Sequence, residues 1–192
     1  VWPRADRSFA LATSASLGVK VLEWDGISST WSYIDDATQN GFPGAPTNLW
    51  APNQDEVYFA ISDLGTFGAY VYHGTRSAAP SKTWTWTRLR FDCDRNDATP
   101  HVWGTSHDDV YVLSCGAVHH LDSAGSSSVT EWNGDDDTDH PLALLGAAGT
   151  AADDLWFVGT RGWDPGQCAV VVRKTAAGYA RIVDNRSGLR FR

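Results

Sequence analysis

An all-β fold, and within that class a β-propeller of about four blades with four antiparallel strands each, is predicted by three features of this 192-residue sequence. Helix builders are scarce: there are three Lys, three Glu, three Gln and no Met, against 18 Gly, 8 Pro and 23 aromatic residues. Short β-branched and aromatic runs alternate with Gly, Pro, Asn, Asp and Ser, as strands bounded by tight turns do. One passage then recurs about every fifty residues, the length of a four-stranded blade.

The units run in order along one domain, 1–192, with bounds near 1–48, 49–100, 101–145 and 146–192. The first opens on "VWPRADRSFALA", continues through the glycine-led "GVKVLEWDG" from Gly18 and closes on "STWSYIDD". The second holds "LWAPNQDEVYFAIS" from Leu49, "GAYVYHGT" from Gly68 and "TWTWTRLRFD". The third holds "VWGTSHDDVYVLS" from Val102, "GAVHHLDSAG" from Gly116 and "SVTEWNGD". The fourth holds "AAGTAADDLWFVGT" from Ala147, "AVVVRKTAAG" from Ala169 and "GYARIVD". Trp50, Trp103 and Ala148 correspond, as do Asp55, Asp108 and Asp153, and then Tyr58, Tyr111 and Trp156; with Trp2 as the first counterpart the intervals are 48, 53 and 45 residues.

A four-stranded sheet exposes two apolar faces, and packing such sheets radially buries them. Trp24, Trp50, Trp103, Trp132, Trp156, Tyr58 and Tyr111 are expected to fill the spaces between blades. A stacked solenoid is the rival architecture, with shorter usual periods. The chain starts inside a first strand without a Met, so a processed chain or a sector of a larger ring is expected, and a ring closed at four blades is the alternative.

The "VWGTSHDDVYVLS" unit, with its following "GxVxxWDG"-type strand, resembles the repeats of the BNR and Asp-box class of propellers, particularly the WGxSxDDVWxVG variety of secreted proteins from GC-rich bacteria. The resemblance spans the chain and implies a propeller, a bacterial source and an extracellular or cell-surface location, with the periplasm as a further option. The Asp-box form SxDxGxTW itself is not intact: "SDLGTF" from Ser62 lacks the spacing and "DGISSTW" from Asp25 matches in part.

A formal charge of −8, with 20 of the 23 acids Asp, puts the acid in loops and leaves no basic stripe for nucleic acid. No run of eighteen apolar residues is present for membrane insertion. Three cysteines suggest one bridge and one free thiol; Cys93 with Cys115 is the expected pair, since the connection carrying Cys93 leads into the blade carrying Cys115, and Cys115 with Cys168 is the alternative. Reduced thiols in a cytosolic protein remain a second reading of the same count.

Because Asp55, Asp108, Asp109, Asp153 and Asp154 recur from unit to unit, they read as structural turn residues and not as acid–base catalysts. Residues that break the repeat are the candidates for ligand binding: Trp163 beside Arg161 and Asp164, able to stack on a sugar and bond its hydroxyls, and Asp137 with His140 in an acidic loop. That loop lacks calcium-loop spacing, His119 and His120 point to opposite faces of a strand, and no phosphate loop or nucleophile elbow occurs, so neither metal nor cofactor is expected. The resulting expectation is a non-catalytic extracytoplasmic propeller presenting variable loops to a glycan or protein partner. Two alternatives stand beside it: a sialidase-like glycoside hydrolase, which would have to draw on Glu23, Glu56, Glu131 or Asp residues, and a structural module of a larger complex.

Overall fold

A computed structural model describes residues 2–3, 7–14, 18–34, 41–63, 68–79, 82–93, 99–134, 141–162 and 167–184, the first two as backbone only. These residues form strands and turns, with no helix among them and hence no helix long and apolar enough to cross a membrane. Four antiparallel sheets follow one another along the chain, each with its strands paired in sequence order. The first holds β1 (Trp2–Pro3), β2 (Ser8–Ser14), β3 (Gly18–Trp24) and β4 (Ser32–Tyr33). The second holds β5 (Ala45–Asn53), β6 (Glu56–Asp63), β7 (Gly68–Arg76) and β8 (Trp84–Asp92). The third holds β9 (His101–Ser106), β10 (Asp109–Ser114), β11 (Ala117–Leu121) and β12 (Ser128–Asn133). The fourth holds β13 (Leu142–Ala151), β14 (Asp154–Arg161), β15 (Cys168–Thr175) and β16 (Gly178–Asp184).

Tight turns set these meanders. Asp55, Asp108 and Asp153 each take the second position of the two-residue turn that joins the first strand of a sheet to its second. The β10–β11 hairpin turns on Cys115 and Gly116 at φ 55° and 72°, the two positive values that match the twist of paired strands. In the first sheet β4 is short, and Phe42 completes the outer edge by exchanging two 2.8 Å backbone bonds with Val19.

Successive sheets pack face to face. β5 lies against β2 and β9, and β9 lies against β13, so the opening strands of the second, third and fourth sheets run along the junctions. Phe9, Val21, Phe42, Phe59 and Tyr72 fill the first junction; Trp50, Tyr58, Val71, Val110 and Val112 the second; Tyr111, Leu113, Leu155, Phe157 and Val172 the third. At roughly 1.5–3 kcal/mol for each fully buried large side chain, these junctions supply the main cohesion between sheets. Trp50, Tyr58 and Tyr111 are buried as the sequence suggests, while Trp24, Trp103 and Trp132 are partly buried. Trp156 departs from expectation: it is 37% exposed, because it stands on the face of the fourth sheet turned away from the third.

Candidate functional site

Alternation along a strand sends every second side chain to one face. On the second strand of each sheet this puts the opening residue and the residue two places on side by side, and register adds a third group from the next strand. The second sheet thus aligns Glu56, Tyr58 and His73, with Tyr58 opposite His73. The third aligns Asp109, Tyr111 and His120, and the fourth Asp154, Trp156 and Arg173. In the first sheet Arg7 precedes β2 while Phe9 pairs with Glu23, so the same arrangement appears with its charges exchanged.

Glu56 is the most enclosed of these acids, 4% exposed. Its Oε1 accepts from the Tyr58 hydroxyl at 2.8 Å and lies 2.8 Å from His73 Nε2. Its Oε2 accepts from Asn53 Nδ2 at 3.1 Å and lies 2.5 Å from His107 Nδ1 in the next sheet. Burial pushes the Glu56 carboxyl up, and the bonds from His73, Tyr58 and His107 outweigh it, leaving the group below the usual carboxylate range. Burial and the neighbouring carboxylate push the Tyr58 phenol well up, which keeps it a donor. Tyr58 also stacks on His73, with ring centroids 4.1 Å apart.

The third sheet closes over His73 from the other side. Asp122 accepts bonds from the Ser126 amide and the Ser126 and Ser127 hydroxyls, which lowers its carboxyl to about 2 and shapes the turn after β11. That turn aims the Ala124 carbonyl at His73 Nδ1, 2.9 Å away. Gly125 follows at φ 61°, where a Cβ would stand 2.5 Å from the same nitrogen.

The other two junctions have the same chemistry. Between the first and second sheets, Glu23 pairs with Arg7 and with Arg76. Between the third and fourth, Lys174 donates to Glu131 at 2.7 Å and to the Tyr111 hydroxyl at 2.8 Å, and the Tyr179 hydroxyl donates to Glu131 at 2.5 Å. Asp109 accepts from Thr105 and, at 2.6 Å, from Tyr111. Burial raises the Glu131 carboxyl, but the bonds from Lys174 and Tyr179 hold it below its ordinary value. All of this lies at the end of the sheets that carries the Asp turns. Acid–base pairs of this kind resemble catalytic groups, but here each acid is engaged by side chains of its own or the adjoining sheet.

No protein-family model matches the chain, and no curated protein matches it.

Trp163, Asp164, Asp137 and His140 lie outside the described residues. Arg161 is 2% exposed; its guanidinium donates to the Gly134 carbonyl at 2.9 Å and stands 3.2 Å from Asp184, so it ties the third sheet to the fourth and is enclosed where a ligand contact was expected. Among the turn acids, Asp55, Asp108 and Asp153 occupy the turns, whereas Asp109 and Asp154 open the following strands and bond side chains: Asp109 the hydroxyls of Thr105 and Tyr111, Asp154 Thr150 and Arg173. Cys93 and Cys115 are joined in a disulfide with Cα atoms 5.3 Å apart, and Cys168 is a partly buried cysteine outside that bridge. His119 contacts Phe91 while His120 stacks on Tyr111, so the two rings serve opposite junctions. Among the described residues no three His, Cys, Asp or Glu side chains gather as a metal-binding group. Sequence reasoning missed His73 and His107 as partners of Glu56; the available signal was the acid two places before Tyr58, Tyr111 and Trp156.

Proposed function

We propose that this chain is a non-catalytic binding module, a β-propeller or propeller sector working outside the cytoplasm and presenting its connecting loops to a glycan or protein partner. One observation carries the reading: at three successive junctions the acids Glu23, Glu56 and Glu131, the groups a hydrolase would need free, bond bases and phenols that fix one sheet to the next. A glycosidase needs one carboxyl poised to give a proton and another to attack or activate water. Carboxylates held below their usual range by donors on the neighbouring sheet serve cohesion better than proton transfer. The opening strands that line up along the sheet junctions support a radial arrangement around an axis. The Cys93–Cys115 bridge supports an oxidising compartment.

Binding then falls to the end opposite the Asp turns, where the connections between sheets and the second-to-third-strand connections emerge. The test is a glycan array together with affinity capture from the native extracellular milieu, run on the intact chain and on Trp163→Ala. Retention of a defined glycan, weakened at least about tenfold by the substitution, agrees with a stacking contact. Turnover of a glycoside by the intact chain overturns the reading.

A further inference from the structure

We propose that Arg88 and Arg90, on the outer strand of the second sheet, form a binding site for an acidic glycan carrying sulfate or carboxylate groups. Such a site rests on the glycan reading above and gives it a charge and a place. The chain is formally −8, yet no Asp or Glu occurs from Leu64 to Phe91, its longest stretch without an acid. Arg76, Lys82, Arg88 and Arg90 all fall within that stretch. Alternation along β8 sends Trp84, Trp86, Arg88 and Arg90 to the face turned towards the first sheet, opposite Arg76, Gly74, Tyr72 and Tyr70 of β7. Trp84 packs on Phe9, and Trp86 on Phe42 and Phe59, which fixes the strand against the first sheet. Gly74 makes room for this, since a Cβ there would meet the Trp86 ring at 2.4 Å.

The two guanidiniums emerge where the tryptophans stop. Both rest on the ring of Tyr70, with Cζ atoms 5.1 and 5.9 Å from its centroid, and Tyr70 itself is 8% exposed. A buried ring beneath them holds the pair side by side, so less side-chain freedom is lost when a ligand binds. Arg88 is exposed, reaches the Tyr72 phenol and meets no carboxylate among the described residues. Arg90 engages Asp92 through Nε at 2.6 Å, with side chains 48% and 77% exposed, which leaves the outer edge of its fork in solvent. One acid thus faces two bases, and guanidinium forks match the oxygens of sulfate and carboxylate in pairs. The corresponding strands of the later sheets lack this arrangement. On β12 the residues facing the preceding sheet are Ser128 and Thr130, and on β16 Arg181 is bound to the Gly134 carbonyl and Asp184. The pair also stands towards the end of β8 from which the connection to the third sheet leaves, the end to which binding falls. A few cations along one strand are too few for the backbone contacts that nucleic acid requires.

The experiment is isothermal titration of the intact chain with heparin, polygalacturonate, dextran and poly-L-glutamate at about 50 mM salt. Heparin binding assigns sulfate, polygalacturonate binding assigns carboxylate, and dextran is expected not to bind. Affinity should fall at least about tenfold in Arg88→Gln and in Arg90→Gln, each with unchanged circular dichroism. Arg173→Gln, which removes an exposed cation of the fourth sheet, should change it less than about twofold. Should Arg88→Gln fail to fold, the half-exposed Arg90→Gln carries the comparison alone. Retention of a neutral glycan with neither acidic polysaccharide bound leaves the glycan reading standing and overturns this site. Indifference to the Arg88 and Arg90 substitutions, an equal loss in Arg173→Gln, or poly-L-glutamate bound as tightly as either polysaccharide overturns it as well.

Discussion

Replacing Glu56 by Gln puts the tie between the second and third sheets to a quantitative test. The isosteric amide keeps one acceptor oxygen but turns an NH2 towards two groups that now donate, and it removes the charge. Of four contacts, from Tyr58 and His73 at 2.8 Å, Asn53 at 3.1 Å and His107 at 2.5 Å, two are lost. At ~1.5–3 kcal/mol for each bond to a charged group, the loss is about 3–5 kcal/mol after modest relaxation, the range for removing one member of a buried pair. For a chain of this size that lowers Tm by roughly 6–20 °C. The sign of the pH dependence follows from the depressed carboxyl of Glu56. Its contribution is complete above the unfolded-state value near ~4.3 and is lost as pH falls through the lower folded-state value. Urea denaturation followed by tryptophan fluorescence should therefore show a wider gap between wild type and Glu56→Gln at about pH 7 than at about pH 3. A gap under ~1 kcal/mol at neutral pH, or one of equal size at both pH values, refutes the reasoning.

Further outcomes follow from the same packing. Thiol titration of the unfolded, unreduced protein should find one reactive cysteine, Cys168, and three after reduction, with reduction costing about 3 kcal/mol of stability because Cys93 and Cys115 close a loop of 22 residues. Gly104→Ala should destabilise by roughly 2 kcal/mol or more in thermal melts, since its Cβ would meet the Asp109 carbonyl at 2.5 Å and the Trp50 ring at 2.8 Å. Gly146→Ala, whose nearest neighbour would be Val158 at 3.5 Å, should stay within about 0.5 kcal/mol of wild type. Arg161→Ala should cost roughly 1–3 kcal/mol, since it removes a buried guanidinium while Arg181 still donates to the Gly134 carbonyl and pairs with Asp184; sugar binding lost without any loss of stability would instead restore Arg161 to the ligand site.

The strand order was legible because each unit punctuates its strands with the same residues. Asp55, Asp108 and Asp153 mark equivalent turns in the sequence and hold equivalent positions in space. Alternation also exposed the two opposite roles of His119 and His120. What the repeat could not convey was how one unit meets the next. Glu56 and His107 are 51 residues apart, and their contact depends on the packing of two sheets, for which neither local sequence carries a pattern. The same holds for Lys174 and Tyr111, 63 residues apart. Trp156 misled for a related reason: its place in the repeat is a buried one, but burial there depends on a following sheet. Arg161 read as a loop residue near Trp163, although it ends β14 and turns inward to Asp184.

The account turns on whether the buried carboxylates tie sheets together or perform chemistry. The direct measurement compares wild type, Glu56→Gln and Glu131→Gln on one panel of glycans, recording bound ligand and released reducing sugar together. The account predicts that the wild type releases no sugar and that any variant still folded binds as the wild type does. Sugar released by the wild type, and abolished in a folded Glu131→Gln protein, would contradict it.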